Sequence, residues 1–453
     1  MEEWTHRPRT SHMIEFALLF LGIALVLIML SALGWKTTVA ALVLLTMCVY
    51  PHRILGQAIP HTGIAGAEPQ LMTFSAVLIT AAIVGVLLGR WREVPYSFMP
   101  LLMFLLFCAI FVWGGTSEQW AGILLFFVAI CGWYVGVLIG KELPRDRDFA
   151  RVFSQGLLLV VIVQVAVSLL QFAGVPIRPT DTATAESMGS RVNGTFNHPN
   201  TLGKMIVLVM VISLPLTRTQ DVAARRAASL AVLLGFVPLV LSGGRSNLFG
   251  ALLVIVIWTV TSPRQKKAGA RIWVPVGTLS AAVVALVAFP ARFMDTSGGA
   301  RGRLSEIAME RIPAHLFAGI GVNSYVTEVG KFDPLVAQGW PVHNIFLLST
   351  VEIGLIGATL FVCPLIWAAL RSWPHLSDFG ISGDYARSYL ISVPVLVFLG
   401  VTDWGLMHEY TLPLWLLMGG VCSGAMNAGR YERTSKYLRP PTYVGYCGRS
   451  VER

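Results

Sequence analysis

The chain has 453 residues, of which 55% are hydrophobic and only 13% charged, with a formal net charge of +10. A soluble protein of this length carries roughly a quarter charged residues and divides into two or three domains, so the composition excludes that class. The positive charge is read as a topology signal, and no nucleic-acid partner is expected.

The apolar excess comes in blocks near the ~20 residues that cross a ~30 Å hydrocarbon core. In chain order they predict helices near 13–33, 37–57, 71–89, 96–113, 118–140, 152–174, 200–217, 227–241, 247–261, 271–290, 343–370, 385–402 and 410–426. Barrel strands would be about ten residues of alternating polarity, and the blocks show no such alternation. In lipid every backbone amide must be bonded internally, which selects helices. The segment before Met13 is basic (Arg7, Arg9), but no small-residue cleavage site follows the first block, so it is read as a membrane segment and not as a signal peptide.

Basic connectors at 90–92, 141–151, 218–226 and 262–271, and a basic tail at 427–453, fall on one side, predicted to be cytoplasmic. Thirteen spans with that tail inside would leave the basic N-terminus outside. Residues 13–57 are therefore read as one span plus a re-entrant or interfacial piece around Gly34, Trp35 and Lys36. The expected fold is all-α: a polytopic transmembrane helical bundle of about 12 spans, forming a single membrane domain over 1–453 with a partly helical outer loop. Cys48, Cys108, Cys131, Cys363 and Cys422 lie in apolar blocks and Cys447 in the tail, and they read as small hydrophobes, with no disulfide framework or metal pair.

Polar residues suited to chemistry concentrate on the other side. It carries an outer loop at 175–199, a large outer loop at 291–342, and short turns at 114–117, 242–246 and 403–409. The first loop ends RVNGTFNHPN at Asn200, where Pro199 suits a helix start. Asn200 and Lys204 share a helix face, and Arg191, His198 and Lys204 would form a cationic rim at a helix N-terminus, a natural anion site. The alternative is ordinary capping of an interfacial loop. LSGGRSNLFG (241–250) breaks two apolar helices at Arg245, which either snorkels or, with Gly243 and Gly244 giving access, binds a phosphate through its planar fork. In the large loop, Arg301 and Arg303 precede an amphipathic stretch at 304–317 with Leu304, Ile307, Ala308, Ile312 and Leu316 on its apolar positions, and GIGVNSY (319–325) reads as a turn. His343 and Asn344 stand where loop becomes membrane helix. Asn344 suits a cap, and His343 is the side chain best suited to proton transfer near neutral pH. Glu352 lies about 180° around that helix from His343, so it is not expected to orient it.

G-x-F-x-H-P-N before a span, a Gly-Arg turn between spans, an Arg-led amphipathic segment ending G-x-G, and H-N followed by E-x-G-x-x-G occur here in that order across 190–362. The ordered set resembles the O-antigen ligase and O-antigen polymerase superfamily of bacterial membrane proteins; the flanking spans agree only in character. The resemblance implies a metal-independent membrane glycosyltransferase of polysaccharide or lipopolysaccharide biosynthesis. Its donor would be a glycan on polyprenyl (undecaprenyl) diphosphate, and its acceptor a hydroxyl of a glycan, lipid or protein. It would sit among membrane lipids with its site facing outward from a bacterial cytoplasmic (inner) membrane. By the same resemblance His343 matches the general base, and Arg245 and Arg303 (or Arg301 in its place) match arginines on the donor diphosphate. Arg191, His198 and Asn200 match the first loop motif. The residues fit that chemistry independently: guanidinium groups can neutralise a diphosphate leaving group, no D-x-D pair occurs in the outer loops, and no metal or cofactor is expected. Base and diphosphate on opposite faces of the sugar imply inversion. The competing reading is a flippase or transporter of the same lipid-linked glycans, although no paired repeat with interrupted mid-membrane helices is seen.

Overall fold

The computed structural model describes residues 32–49, 53–55, 71–90, 99–111, 115–177, 191–261, 299–378 and 380–438. Eleven of the predicted blocks are helices there: α1 (Ala32–Cys48), α2 (Thr73–Leu87), α3 (Met99–Phe111), α4 (Ser117–Glu142), α5 (Arg147–Phe172), α6 (Pro199–Leu216), α7 (Val222–Leu234) continued by α8 (Phe236–Leu241), α9 (Arg245–Thr261), and three long helices after the large loop. The predicted spans 13–33 (all but its last two residues) and 271–290, and the tail beyond 438, lie outside the described residues. Among the described residues six helices are long and apolar enough to cross a membrane, and four more are apolar but shorter. A short antiparallel ribbon pairs Arg53–Leu55 with Leu71–Met72.

The large loop contributes α10 (Gly299–Arg311), a 3-10 turn at Ile312–His315, and the short helices α11 (Tyr325–Val329) and α12 (Pro334–Ala337). It leads into α13 (Ile345–Ser372), α14 (Ile381–Thr402) and α15 (Thr411–Leu438). The tail predicted from 427 is thus helical as far as Leu438.

Side-chain links between connectors sort the two ends of the bundle. At the basic end Lys36 pairs with Glu142 (2.6 Å), Arg151 with Asp221 (2.6 Å) and Arg218 with Asp384 (2.9 Å). Lys36 therefore sits beside the 141–151 connector, and α1 starts from the basic end. At the other end Arg191 reaches the 242–244 turn, Asn200 reaches Asp403, and Asn323 reaches the start of α4. This is the loop end.

The centre is the α4–α15 seam. Gly132, Gly136 and Gly140 recur every fourth residue, so they form one stripe on α4. A Cβ at any of them would collide with the backbone of Pro413, Leu417 or Val421, and Gly420 and Gly424 answer from α15 against the Trp133 and Val137 carbonyls. Small residues let two parallel helices approach backbone to backbone, the means by which membrane helices associate without a hydrophobic driving force.

α13 is not one continuous helix. Gly354 adopts φ 63° and ψ −177°, which opens the chain near the loop end. The carbonyls of Val351 and Glu352 freed by the opening accept the amides of Ile320 and Gly321 (both 2.9 Å). The amides of Leu355 and Ile356 donate to Leu316 (2.7 Å) and Phe317 (3.2 Å). Gly319 (φ 75°) and Gly354 have no Cβ because each would drive one into the other strand's backbone. The G-x-G and E-x-G elements of the sequence are therefore the two sides of one docking. Above the break, Leu304, Ile307, Ala308, Tyr325, Val329, Val336, Val342, Leu348 and Val351 form a small core separate from that of the bundle. The first three are predicted apolar positions of the amphipathic stretch; Leu316, another, is 37% exposed.

Candidate functional site

At the loop end, α6 begins with His198 as its N-cap, Nδ1 accepting the Asn200 amide at 3.1 Å. Burial first, then the charges of Arg191 and Lys204, push the pKa of His198 down to about 3. The ring is neutral near pH 7 and serves the cap.

Arg191 donates from Nε to the Ser242 carbonyl (2.7 Å) and from a terminal nitrogen to Asn200 Oδ1 (2.7 Å). Gly243 (φ 61°) lies against the Arg191 stem, where a Cβ would come 3.4 Å from Arg191 Cγ. The break is shorter than the sequence suggests, three residues instead of five, because α9 starts at Arg245 itself. Arg245 is exposed at that helix start. The guanidinium seated on the glycine turn belongs to Arg191, brought from another loop.

Lys204 is one helical turn beyond Asn200 and is only 1% exposed. Its ammonium forms an ion pair with Asp403, and Asn200 Nδ2 approaches the same carboxylate at 3.4 Å. Gly405 lets this happen, since a Cβ there would sit 2.7 Å from Lys204 Nζ. Burial opposes the charge on Asp403, but Lys204, His343 and the Gly405 amide together bring its pKa from 3.8 to about 2. Of the cationic rim expected from Arg191, His198 and Lys204, only Arg191 and Lys204 carry charge; His198 is a neutral cap, and Asp403 is the anion already held by Lys204. Asp403 escaped the sequence reading, in which 403–409 was only a short turn. The available signal was an acid directly after an apolar span, within VTDWGLMHEY.

His343 precedes Asn344, which caps α13 by accepting the amides of Phe346 (2.9 Å) and Leu347 (3.2 Å). The imidazole stacks beside the exposed indole of Trp340, with ring centroids 6.4 Å apart, and its buried Nδ1 makes no well-formed hydrogen bond among the described residues. Its pKa lies below the ordinary 6.5. Burial is the leading cause; Asp403 pulls the other way, as does the Pro341 carbonyl, while Arg301 and Lys204 add to the lowering. His343 therefore shares a field with Lys204, Asp403 and Arg301. Of the two alternatives for the second diphosphate arginine, Arg301 is exposed and acts on His343. Arg303 is engaged instead by Asp333 (2.9 Å), which also caps α12.

The arrangement offers a neutral base in the field of Asp403, Lys204 and Arg301, with Arg191 linked to the same carboxylate through Asn200. No family model matches this chain, and no curated protein matches it either.

Proposed function

We propose that the chain is a membrane glycosyltransferase that moves a glycan from a polyprenyl diphosphate donor to an acceptor hydroxyl at the loop end of the bundle. The observation that supports this reading is that His343 lies in the electrostatic field of Asp403, Arg301 and Lys204, with the Lys204–Asp403 pair and Arg191 on its glycine turn at the same end of the bundle. A diphosphate needs cations that can face it, and Arg191 and the exposed Arg301 supply planar forks, with Lys204 held by Asp403 behind them. His343 takes the proton from the acceptor hydroxyl as that oxygen bonds to the anomeric carbon. The bond from that carbon to the diphosphate oxygen breaks, polyprenyl diphosphate leaves, and configuration inverts. A base of this kind contributes ~10²–10⁴ in rate. After transfer the imidazolium is stabilised by the field of Asp403. The exposed Trp340 beside the base offers an apolar face on which a sugar ring can lie.

We place the reaction at the outer face of a bacterial inner membrane, with ligase and polymerase chemistry differing only in the acceptor. The test uses purified protein in liposomes carrying a lipid-linked glycan donor and an acceptor. Glycan on the acceptor with inverted configuration supports the assignment, and its loss in His343→Ala supports the base. Movement of intact donor between leaflets without any transfer would establish a flippase instead. A retained configuration would refute direct displacement.

A further inference from the structure

Glu352 has no part in the chemistry described so far, yet it is a 3% exposed carboxylate at the one break in α13. Its Oε1 accepts the amide of Tyr325 at 3.1 Å, and the amides of Asn323 and Ser324 lie within its reach. Those three consecutive amides belong to a tight turn in which Gly321 (φ 111°) and Asn323 (φ 55°) are left-handed, and they converge on the Glu352 carboxylate. Buried amides without acceptors are costly. A carboxylate has roughly four acceptor positions and no donor, so it suits three converging N–H groups better than any other side chain.

The same turn is held from its far side. Asn323 Nδ2 donates to the Glu118 carbonyl at the start of α4 (2.8 Å), and Gln119 Nε2 donates to Ser324 Oγ (3.1 Å). Gly122 leaves room for this, since a Cβ there would meet Asn323 Cβ at 2.8 Å. The small core above the break carries Arg301 at one edge, in α10, and His343 at another, directly after Val342. Lys204 and Asp403 belong to the bundle. The seating of the loop unit on the break therefore sets how His343 and Arg301 stand against Lys204 and Asp403.

We propose that Glu352 is a positioning residue that docks the 319–325 turn into the α13 break and so fixes the base and Arg301 over the bundle half of the site; its catalytic consequence rests on the glycosyl-transfer reading. Glu352 touches no substrate and acts through the turn.

The experiment compares wild type, Glu352→Ala and Glu352→Gln, full length in liposomes, by amide hydrogen exchange over 316–326 and by steady-state transfer with a lipid-linked glycan. In Glu352→Ala exchange at 320–325 rises at least ~10-fold, because three acceptor contacts are lost. The kcat falls about 10²-fold while the donor KM stays within about threefold, as expected when a base is displaced by about 1 Å and binding groups are intact. Glu352→Gln keeps one acceptor oxygen and falls between the two in both readouts. Unchanged exchange in Glu352→Ala overturns the docking role. Faster exchange with kcat within about twofold of wild type overturns the positioning role. If Glu352→Ala does not fold, the Glu352→Gln comparison decides by the same criteria. A wild-type chain that transfers no glycan refutes the reaction and with it the positioning role, while the exchange comparison still decides the docking.

Discussion

Replacing Asp403 and Lys204, singly and together, tests the electrostatic centre of the site. Asp403 falls from its ordinary 3.8 to about 2 in the fold, a difference worth roughly 2–3 kcal/mol at about 1.4 kcal/mol per pH unit. That figure is what survives after burial has opposed the charge, so the attraction between the pair is larger than the net. Because the folded pKa is depressed, the contribution is complete above 3.8 and disappears as pH falls toward about 2. At pH 7 it is fully present. Asp403→Asn leaves Lys204, 1% exposed, as a buried ammonium without its counter-charge, and losing one member of a buried pair costs about 3–5 kcal/mol. Lys204→Met strands Asp403 similarly. The double variant removes both charges and is expected within about 1 kcal/mol of wild type. The coupling energy is then about 5 kcal/mol or more, measured by unfolding the four proteins in detergent at pH 7. Single costs that simply add, leaving a coupling below ~0.5 kcal/mol, would refute the ion pair and the site built around it.

Three further outcomes follow from the geometry. Transfer should require neutral His343, so the acidic limb of the pH–rate profile lies below the ordinary 6.5; a limb centred above 7 would remove His343 as the base. Arg191→Lys keeps the charge but cannot reach the Ser242 carbonyl and Asn200 Oδ1 together. The donor KM should rise about tenfold, and an unchanged KM would separate Arg191 from donor binding. Gly136→Ala forces a methyl group into the Leu417 carbonyl, at a cost of about 1–3 kcal/mol, and an unaltered thermal midpoint would show that the seam yields.

Much of the bundle was legible because lipid imposes a length and a polarity on each span. Six helices among the described residues meet both, and four more are apolar but shorter, so about 12 full spans are not reached there. Gly34, Trp35 and Lys36, expected as a re-entrant or interfacial piece, lie in the first turn of α1, where Lys36 meets Glu142 at the basic end. The site was legible by residue type and less so by partner. Sequence proximity assigned the glycines at 243–244 to Arg245, whereas the fold seats Arg191 there from 52 residues away (243 minus 191). Periodicity gives the face a residue occupies within its own helix; it is silent about which side chain arrives from elsewhere. For the same reason Asp403 has no counterpart in the sequence analysis, and Arg303, matched to a diphosphate ligand by the resemblance, is held by Asp333. The G-x-G and E-x-G elements were visible as motifs, but their docking depends on a backbone pairing that no local rule predicts.

The glycine seam has a consequence for biogenesis. Gly136 meets Leu417, 281 residues later (417 minus 136), so α4 must be inserted long before its mate is synthesised. Until then its glycine stripe lacks its partner backbone, and among the described helices this seam closes only once α15 has been made. Quality control that samples this groove would read directly whether the chain has been completed through α15.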